Sequence, residues 1–215
     1  MQRLRVKFSR GEEIKFISHL DLMRFWERAL RRARVPLAYS EGFTPHPRIS
    51  LAAPLPLGVT SEAELMDIWL TRWMPPKSLI IMVSKQLPHG ISILDVGTIE
   101  LSAPSLQSQV RFAEYRVDVE MDKTVQEVTA SLQKLLSTKQ LPWQHVRDTK
   151  TCSYDLRALV DDLWLIGCQS SLCTLGMRLR CDAGGSGRPE QVAAALGFPQ
   201  RPELAHRTKL ILRVG

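Results

Sequence analysis

Cysteine, aromatic side chains and long apolar runs are all scarce in this chain, and each scarcity removes a class of function. The four cysteines of its 215 residues are Cys152, Cys168, Cys173 and Cys181. Their spacing forms neither a zinc pair of CxxC type nor a redox CxxC, so the reading is four free thiols, no metal site and no cofactor of the chain's own. No stretch approaches the ~20 apolar residues that cross a bilayer. The N-terminus Met1-Gln-Arg-Leu-Arg-Val-Lys alternates charge with apolar residues instead of building a signal core, so the expectation is a cytoplasmic protein without membrane contact. Low complexity is absent too. Hydrophobic residues make up 44% and charged residues 24%, values that let a chain of this length bury a core unaided.

What the sequence does have is a local excess of positive charge. Residues 1–50 carry eleven Lys or Arg against five Asp or Glu, a net of +6 out of +7 for the chain. A localised positive field attracts polyanions, nucleic acid first and acidic protein surfaces second.

The patterning predicts an α+β protein. Leu4 to Ser9 alternates with the period of a half-buried strand, and Gly11-Glu12-Glu13 turns the chain. Ser18 is placed to cap a helix, with Asp21 three positions on, and the helix runs to about Arg34 before Pro36. At 100° per residue, Leu22, Met23, Phe25, Trp26, Ala29, Leu30 and Ala33 share one arc, while Arg24, Arg28 and Arg31 lie opposite with Arg32 and Arg34 flanking. That stripe is read either as a binding face or as a solvated face with local ion pairs.

Between Ala38 and Gly58, prolines and glycines fix a loop-strand element. Strands are expected at Glu64–Leu70 and Ile91–Val96, with a helix from Pro76 to Gln86 between them. Residues 98–110 read as a linker. A second round follows, with strands at Tyr115–Met121, Val160–Ile166, Leu175–Cys181 and Leu210–Val214, and helices at Thr124–Leu136 and Pro189–Leu196. Gly184 to Gly187 reads as a flexible turn. The segment Pro142–Leu159 fits least well. Two βαββαβ rounds suggest two tandem ferredoxin-like lobes, residues 1–97 and 111–215.

Four strings then become specific: Phe16-Ile17-Ser18-His19-Leu20-Asp21-Leu22-Met23-Arg24, Arg28 to Ala33, Tyr39-Ser40-Glu41-Gly42-Phe43-Thr44-Pro45-His46-Pro47-Arg48-Ile49, and Pro54-Leu55-Pro56-Leu57-Gly58. Together they resemble the radical-SAM-linked family of unknown function, whose members stand free or form the C-terminal portion of radical SAM proteins. The likeness is strong over residues 4–70 and looser at Asp155-Leu156-Arg157, Arg188-Pro189-Glu190 and Arg207-Thr208. Where family members have Arg-Pro after Asp-Leu, this chain has Arg157-Ala158. A radical SAM enzyme holds its cluster with three thiolates in CxxxCxxC, a spacing absent here. The resemblance therefore implies an accessory protein that presents a substrate to a radical SAM partner.

The expected function is noncatalytic RNA binding, with tRNA or rRNA as the partner, through Arg24, Arg28, Arg31, Arg32, Ser40, Phe43, His46 and Arg48. Phe43 reads equally as a base-stacking residue or a core plug. Ser40 reads as a turn hydrogen bonder, because no nucleophile elbow surrounds it. A second class is a metal-independent ribonuclease of ferredoxin-like build using His46 or His19 as general acid or base, although His19 falls toward the core side of its helical wheel. A third is a scaffold for a peptide or protein. Asp155, Arg157, Arg188 and Arg207 read as an ion-pair set between the lobes or as a second anion site.

Overall fold

The structure is a computed structural model that describes residues 1–120, 123–147, 150–198 and 201–213. It divides the chain into two units, Met1–Val110 with the chain end from Arg213, and Arg111–Leu212. The protein is mixed α/β, with five α-helices among the described residues.

In the first unit, strand β1 (Gln2–Arg10) leads into helix α1 (His19–Arg32). Strands β2 (Ile49–Leu51) and β3 (Thr60–Leu70) follow, then α2 (Pro76–Ser84), β4 (Ile91–Ile99) and the short α3 (Leu106–Gln109). The strands lie in the order β2-β3-β1-β4, and every neighbouring pair is antiparallel. Alternation along β1 sends Leu4, Val6 and Phe8 to the core. There they meet Leu22, Trp26 and Leu30 of α1 and Leu79 and Val83 of α2. The Phe8 and Trp26 rings meet edge to face with centroids 4.9 Å apart.

The opposite parity of β1 carries the unit's main polar anchor. Arg5 and Asp67 are register partners on β1 and β3. Fully buried Asp67 accepts from Arg3 Nε and Nη2 at 2.9 and 2.6 Å, and from Arg5 Nε and Nη2 at 2.8 and 3.0 Å. Arg3 also donates from Nη1 to the carbonyl of Ala103 and from Nη2 to that of Pro104. A buried carboxylate is tolerated because both of its oxygens are met by cations in bonding geometry.

Helix α1 starts where Ser18 Oγ accepts from Asp21 N–H at 3.1 Å. It ends two residues earlier than expected, in a Schellman arrangement: Val35 N–H donates to Leu30 C=O, and Arg34 N–H to Arg31 C=O. Arg34 occupies the left-handed position at φ 54°, the place where glycine is usual.

The second unit runs β5 (Val110–Glu120), α4 (Val125–Ser137), β6 (Pro142–Arg147), β7 (Lys150–Asp155), β8 (Val160–Gln169), β9 (Leu172–Asp182), β10 (Gly185–Ser186), α5 (Pro189–Ala195) and β11 (Leu204–Leu212). Strand β9 pairs antiparallel with β5 and with β8, and β11 lies beside β5. Strands β6 and β7 form a separate two-stranded sheet. A capping box, Thr124 with Glu127, starts α4.

Several expectations need correction. Residues 98–110 hold the end of β4 and the α3 turn, with Leu106 fully buried, so the segment is packed where a linker was expected. The free-thiol reading fails at one pair: Cys168 and Cys173 face each other across the β8–β9 hairpin and form a disulfide, while Cys152 is exposed and Cys181 buried. Their separation of five residues spans a tight hairpin, a pairing that CxxC spacing rules do not address. Part of the Gly184–Gly187 turn is strand β10 paired to β9. Met121 and Val214, the expected ends of two strands, lie outside the described residues. No helix among the described residues is long and apolar enough to cross a membrane.

Two stability changes are expected. Arg34→Gly removes the left-handed penalty and should stabilise by about 1 kcal/mol, read as a higher denaturant midpoint at unchanged slope. Asp67→Ala leaves the buried Arg3 and the half-buried Arg5 guanidinium groups without their anion and should cost about 3–5 kcal/mol. A neutral Asp67→Ala would show that the buried pair does not anchor β1 to β3.

Candidate nucleic-acid interface

The structure puts the basic stripe of α1 on the outside. Leu22, Trp26, Ala29 and Leu30 are buried, whereas Arg24, Arg28, Arg31 and Arg32 are exposed. Arg24 makes only a 3.5 Å surface pair with Asp21, and such pairs contribute little. The stripe is thus available to an anionic partner. Leu20 joins the same exposed face one turn earlier.

Next to the start of α1, buried Arg10 holds the connecting turn. Its guanidinium donates to the carbonyls of Ile14 and Lys15 at 3.2 to 3.3 Å, and also to that of Ile17. Gly58 N–H donates to Lys15 C=O at 2.9 Å, and a side chain at Gly58 would meet the Phe16 ring. The turn therefore presents Phe16 and Leu57 together, both largely exposed. Arg10 does not stand out in the sequence, where it looks like one more basic residue of an alternating strand.

The segment after α1 builds a protruding loop. Ala38 N–H bonds Trp69 C=O, Arg48 N–H bonds Ala38 C=O, and Tyr39 bridges Pro47. Ser40 N–H donates to His46 C=O at 2.8 Å, and His46 N–H donates to Ser40 Oγ at 3.0 Å. Two prolines and this pair of bonds close the base, so the Glu41–Pro45 tip stands out with Gly42 at φ 124°. Ser40 is a turn hydrogen bonder, as the sequence suggested. Phe43 is fully exposed, which removes the core-plug reading. Arg48 stacks over Trp69 at 5.1 Å from the ring centroid, and Arg3 lies 5.0 Å from the same ring.

The histidines fare differently. His19 is exposed at the first position of α1, because a residue at the helix start precedes the wheel that the core selects; the core-side expectation is corrected. His46 is exposed at the loop base. Among the described residues, neither imidazole has a hydrogen-bond partner.

Asp155, Arg157, Arg188 and Arg207 do not form one site. Asp155 Oδ1 accepts the backbone N–H groups of Leu141 and Arg157. Arg157 donates to Leu136 C=O at the end of α4 at 3.0 Å, and to Val160 C=O at 2.5 Å. These two residues staple local backbone. Arg188 is exposed at the N-cap position of α5, without a side-chain capping bond, near Tyr154, whose hydroxyl donates to Gln191 at 2.5 Å. Burial pushes the Tyr154 phenol above its ordinary value, and the Arg188 charge opposes that shift. Arg207 is fully buried and donates to the Tyr115 hydroxyl at 3.0 Å. Among the described residues no group of His, Cys, Asp and Glu could hold a metal ion.

Residues 3–189 match a family described as an uncharacterized protein conserved in bacteria (DUF2344). The chain belongs to this family. No curated protein matches it. Among solved structures, this family member is similar to a chain in the crystal structure of a Cbf5–Nop10–Gar1 complex, with a TM-score of 0.52 and 9% identity, covering 96% of this chain and 48% of that one. A chain of an archaeal box H/ACA sRNP Nop10–Cbf5 complex matches at a TM-score of 0.47 and 8% identity, covering 97% and 48%. The protein thus spans about half the length of the structures it resembles, and the likeness concerns fold.

Phe43→Ala should leave the denaturant midpoint within about 0.5 kcal/mol of the parent, since nothing packs on the ring. Ser40→Ala should cost about 1 kcal/mol, because it removes one bond of the clamp. A large loss in the Phe43 variant would show that the loop tip packs in solution.

Proposed function

We propose that this protein binds RNA, of the tRNA or rRNA class, through its first unit and presents it to a radical SAM enzyme without catalysing a reaction itself. The observation that carries the proposal is Phe43, a fully exposed ring held away from any core by a clamped loop. An exposed aromatic on a preorganised base costs solvation in the free protein and returns it when a nucleobase stacks on the ring. The four exposed arginines of α1 supply the phosphate contacts that such binding needs.

The partner assignment rests on the resemblance of the 16–24, 28–33, 39–49 and 54–58 strings to the radical-SAM-linked family. Each unit is read as a ferredoxin-like lobe, residues 1–97 and 111–215. The orders β2-β3-β1-β4 and β8-β9-β5-β11 support this reading, because both follow the βαββαβ connection pattern once the β6–β7 hairpin is taken as an insertion. Asp155 and Arg157 take no part, since both are spent on backbone.

RNA crosslinked to the protein in cells should come out intact and enriched for one class. Changing Arg24, Arg28 and Arg31 together to Gln should lower the log–log salt slope of binding by roughly 2 to 3, at about 0.7 to 0.9 for each phosphate no longer neutralised. An unchanged slope would remove the α1 stripe from the interface. Discrete cleavage of the bound RNA by the isolated chain, abolished in His46→Ala, would overturn the noncatalytic reading in favour of a ribonuclease.

A further inference from the structure

Trp73 is 73% exposed, yet the backbone on both sides of it is tied down. On one side, the Gln2 side chain is itself buried and bonds Met74 twice, donating from Nε2 to Met74 C=O at 3.1 Å and accepting Met74 N–H on Oε1 at 2.8 Å. On the other, Thr71 donates both its N–H and its hydroxyl to Pro36 C=O, at 2.8 and 3.2 Å. A carboxamide that mimics a peptide group and a doubly bonded carbonyl leave the Arg72-Trp73 pair projecting from a fixed base. A large ring held rigidly in water, with little ordering entropy left to lose, is the form that binding anchors take.

The two chain segments that meet at this loop carry charge of one sign. The bridge Leu37↔Leu70 and the Thr71–Pro36 bonds run the 71–74 loop alongside the exit of α1, where Arg34 is exposed in its left-handed position. Non-glycine residues held in that conformation at a cost cluster at functional sites. Residues 28–40 and 68–94, the two segments joined here, contain no Asp or Glu at all; they contribute Arg28, Arg31, Arg32, Arg34, Arg72, Lys77 and Lys85. Such a field suits a polyanion, and the combination of separated cations with one unpaired aromatic face matches a strand whose bases are free to stack.

We infer that Trp73, with Arg34 and Arg72, is a second contact site for single-stranded nucleic acid: a base stacks on the indole and the flanking phosphates pair with the two guanidinium groups. The inference rests on the RNA-binding reading and adds to it the strand state of the ligand. The segment from Pro36 to Tyr39, bonded to Thr71 at one end and leading to the Phe43 loop at the other, links the two stacking residues through one run of backbone. The ligand is therefore unpaired where it crosses this unit, because duplex bases stack on each other and offer no face to either ring.

The test uses the full chain, a fluorescein-labelled 12-nucleotide single-stranded RNA of mixed sequence, and the same RNA annealed to its complement, titrated by anisotropy at several salt concentrations. Trp73→Ala should weaken single-strand binding about tenfold or more, with duplex binding unchanged and with Trp73→Phe keeping most of the affinity. Arg34→Gly with Arg72→Gln should lower the single-strand salt slope by about 1.4. Unchanged thermal melts of the Trp73 variants would confirm that the exposed ring is not part of the fold. If the parent binds the single strand and Trp73→Ala binds it equally well, this inference is overturned while the RNA reading stands. Equal losses on single strand and duplex would likewise overturn it, by making the tryptophan a general anchor for either form. Should the parent bind neither RNA, the RNA reading fails and the inference with it. Retained RNA affinity in Trp73→Ala together with loss of a co-purifying protein would assign the ring to a protein partner instead.

Discussion

The first unit depends on one buried carboxylate. Asp67 sits on β3 opposite Arg5 of β1, with Arg3 one alternation along the same face, and it meets both guanidinium groups. Sliding β1 by one residue against β3 would send these arginines into the Leu4–Val6–Phe8 core and strand the carboxylate in apolar surroundings, so the charges fix the register that hydrophobic alternation alone would only favour. Arg3 extends the constraint to the turn at Ala103 and Pro104, and its guanidinium faces the Trp69 ring that Arg48 also faces. Trp69 in turn carries the carbonyl to which Ala38 is bonded and the amide bonded to Arg48. Core register and the base of the exposed loop are thus consequences of the same pairing.

This explains why positive charge in the N-terminal fifty residues does two different jobs. Arg3, Arg5 and Arg10 are inside or nearly so and are spent on Asp67 and on backbone carbonyls. Arg24, Arg28, Arg31, Arg32, Arg34 and Arg48 are outside. A composition count adds the two groups together; only burial separates cations that build the scaffold from cations left for a ligand.

Much of the scaffold was legible because its signals are local. Alternation in β1, the Ser18 cap and the wheel of α1 each lie within a short window, and the structure reproduces them to within a few residues. What was not legible depends on partners distant in sequence. Asp155 and Arg157 read as members of an ion-pair set or of an anion site, but Asp155 is satisfied by the amides of Leu141 and Arg157, and Arg157 by a helix end 21 residues away. The Cys168–Cys173 disulfide follows from a hairpin register that composition does not reveal. His19 was misplaced for a subtler reason: the wheel treats every helical position as equivalent, whereas the first residue of a helix projects beyond the surface that its later turns cover.

Trp73 shows the same limit from the functional side. In sequence it is an aromatic residue between a strand and Pro75-Pro76, where burial is the ordinary expectation, and nothing within that window distinguishes it from the fully buried Trp26. What that window omits is Gln2, 72 residues before Met74, whose side chain occupies the two hydrogen-bonding groups of Met74 and so fixes the backbone beside Trp73. The buried Gln2 amide exchanges its hydration for two bonds to the backbone of Met74, whose own side chain packs against the core. The return is positional: a ring and its neighbouring cation are held in one place before any partner arrives. The clamp between Ser40 and His46 does the same for Phe43. Two loops that differ in sequence have arrived at the same physical solution, in which polar side chains fix backbone so that an aromatic residue can remain outside. That shared solution separates these two rings from apolar residues exposed merely for want of polar surface to cover the molecule.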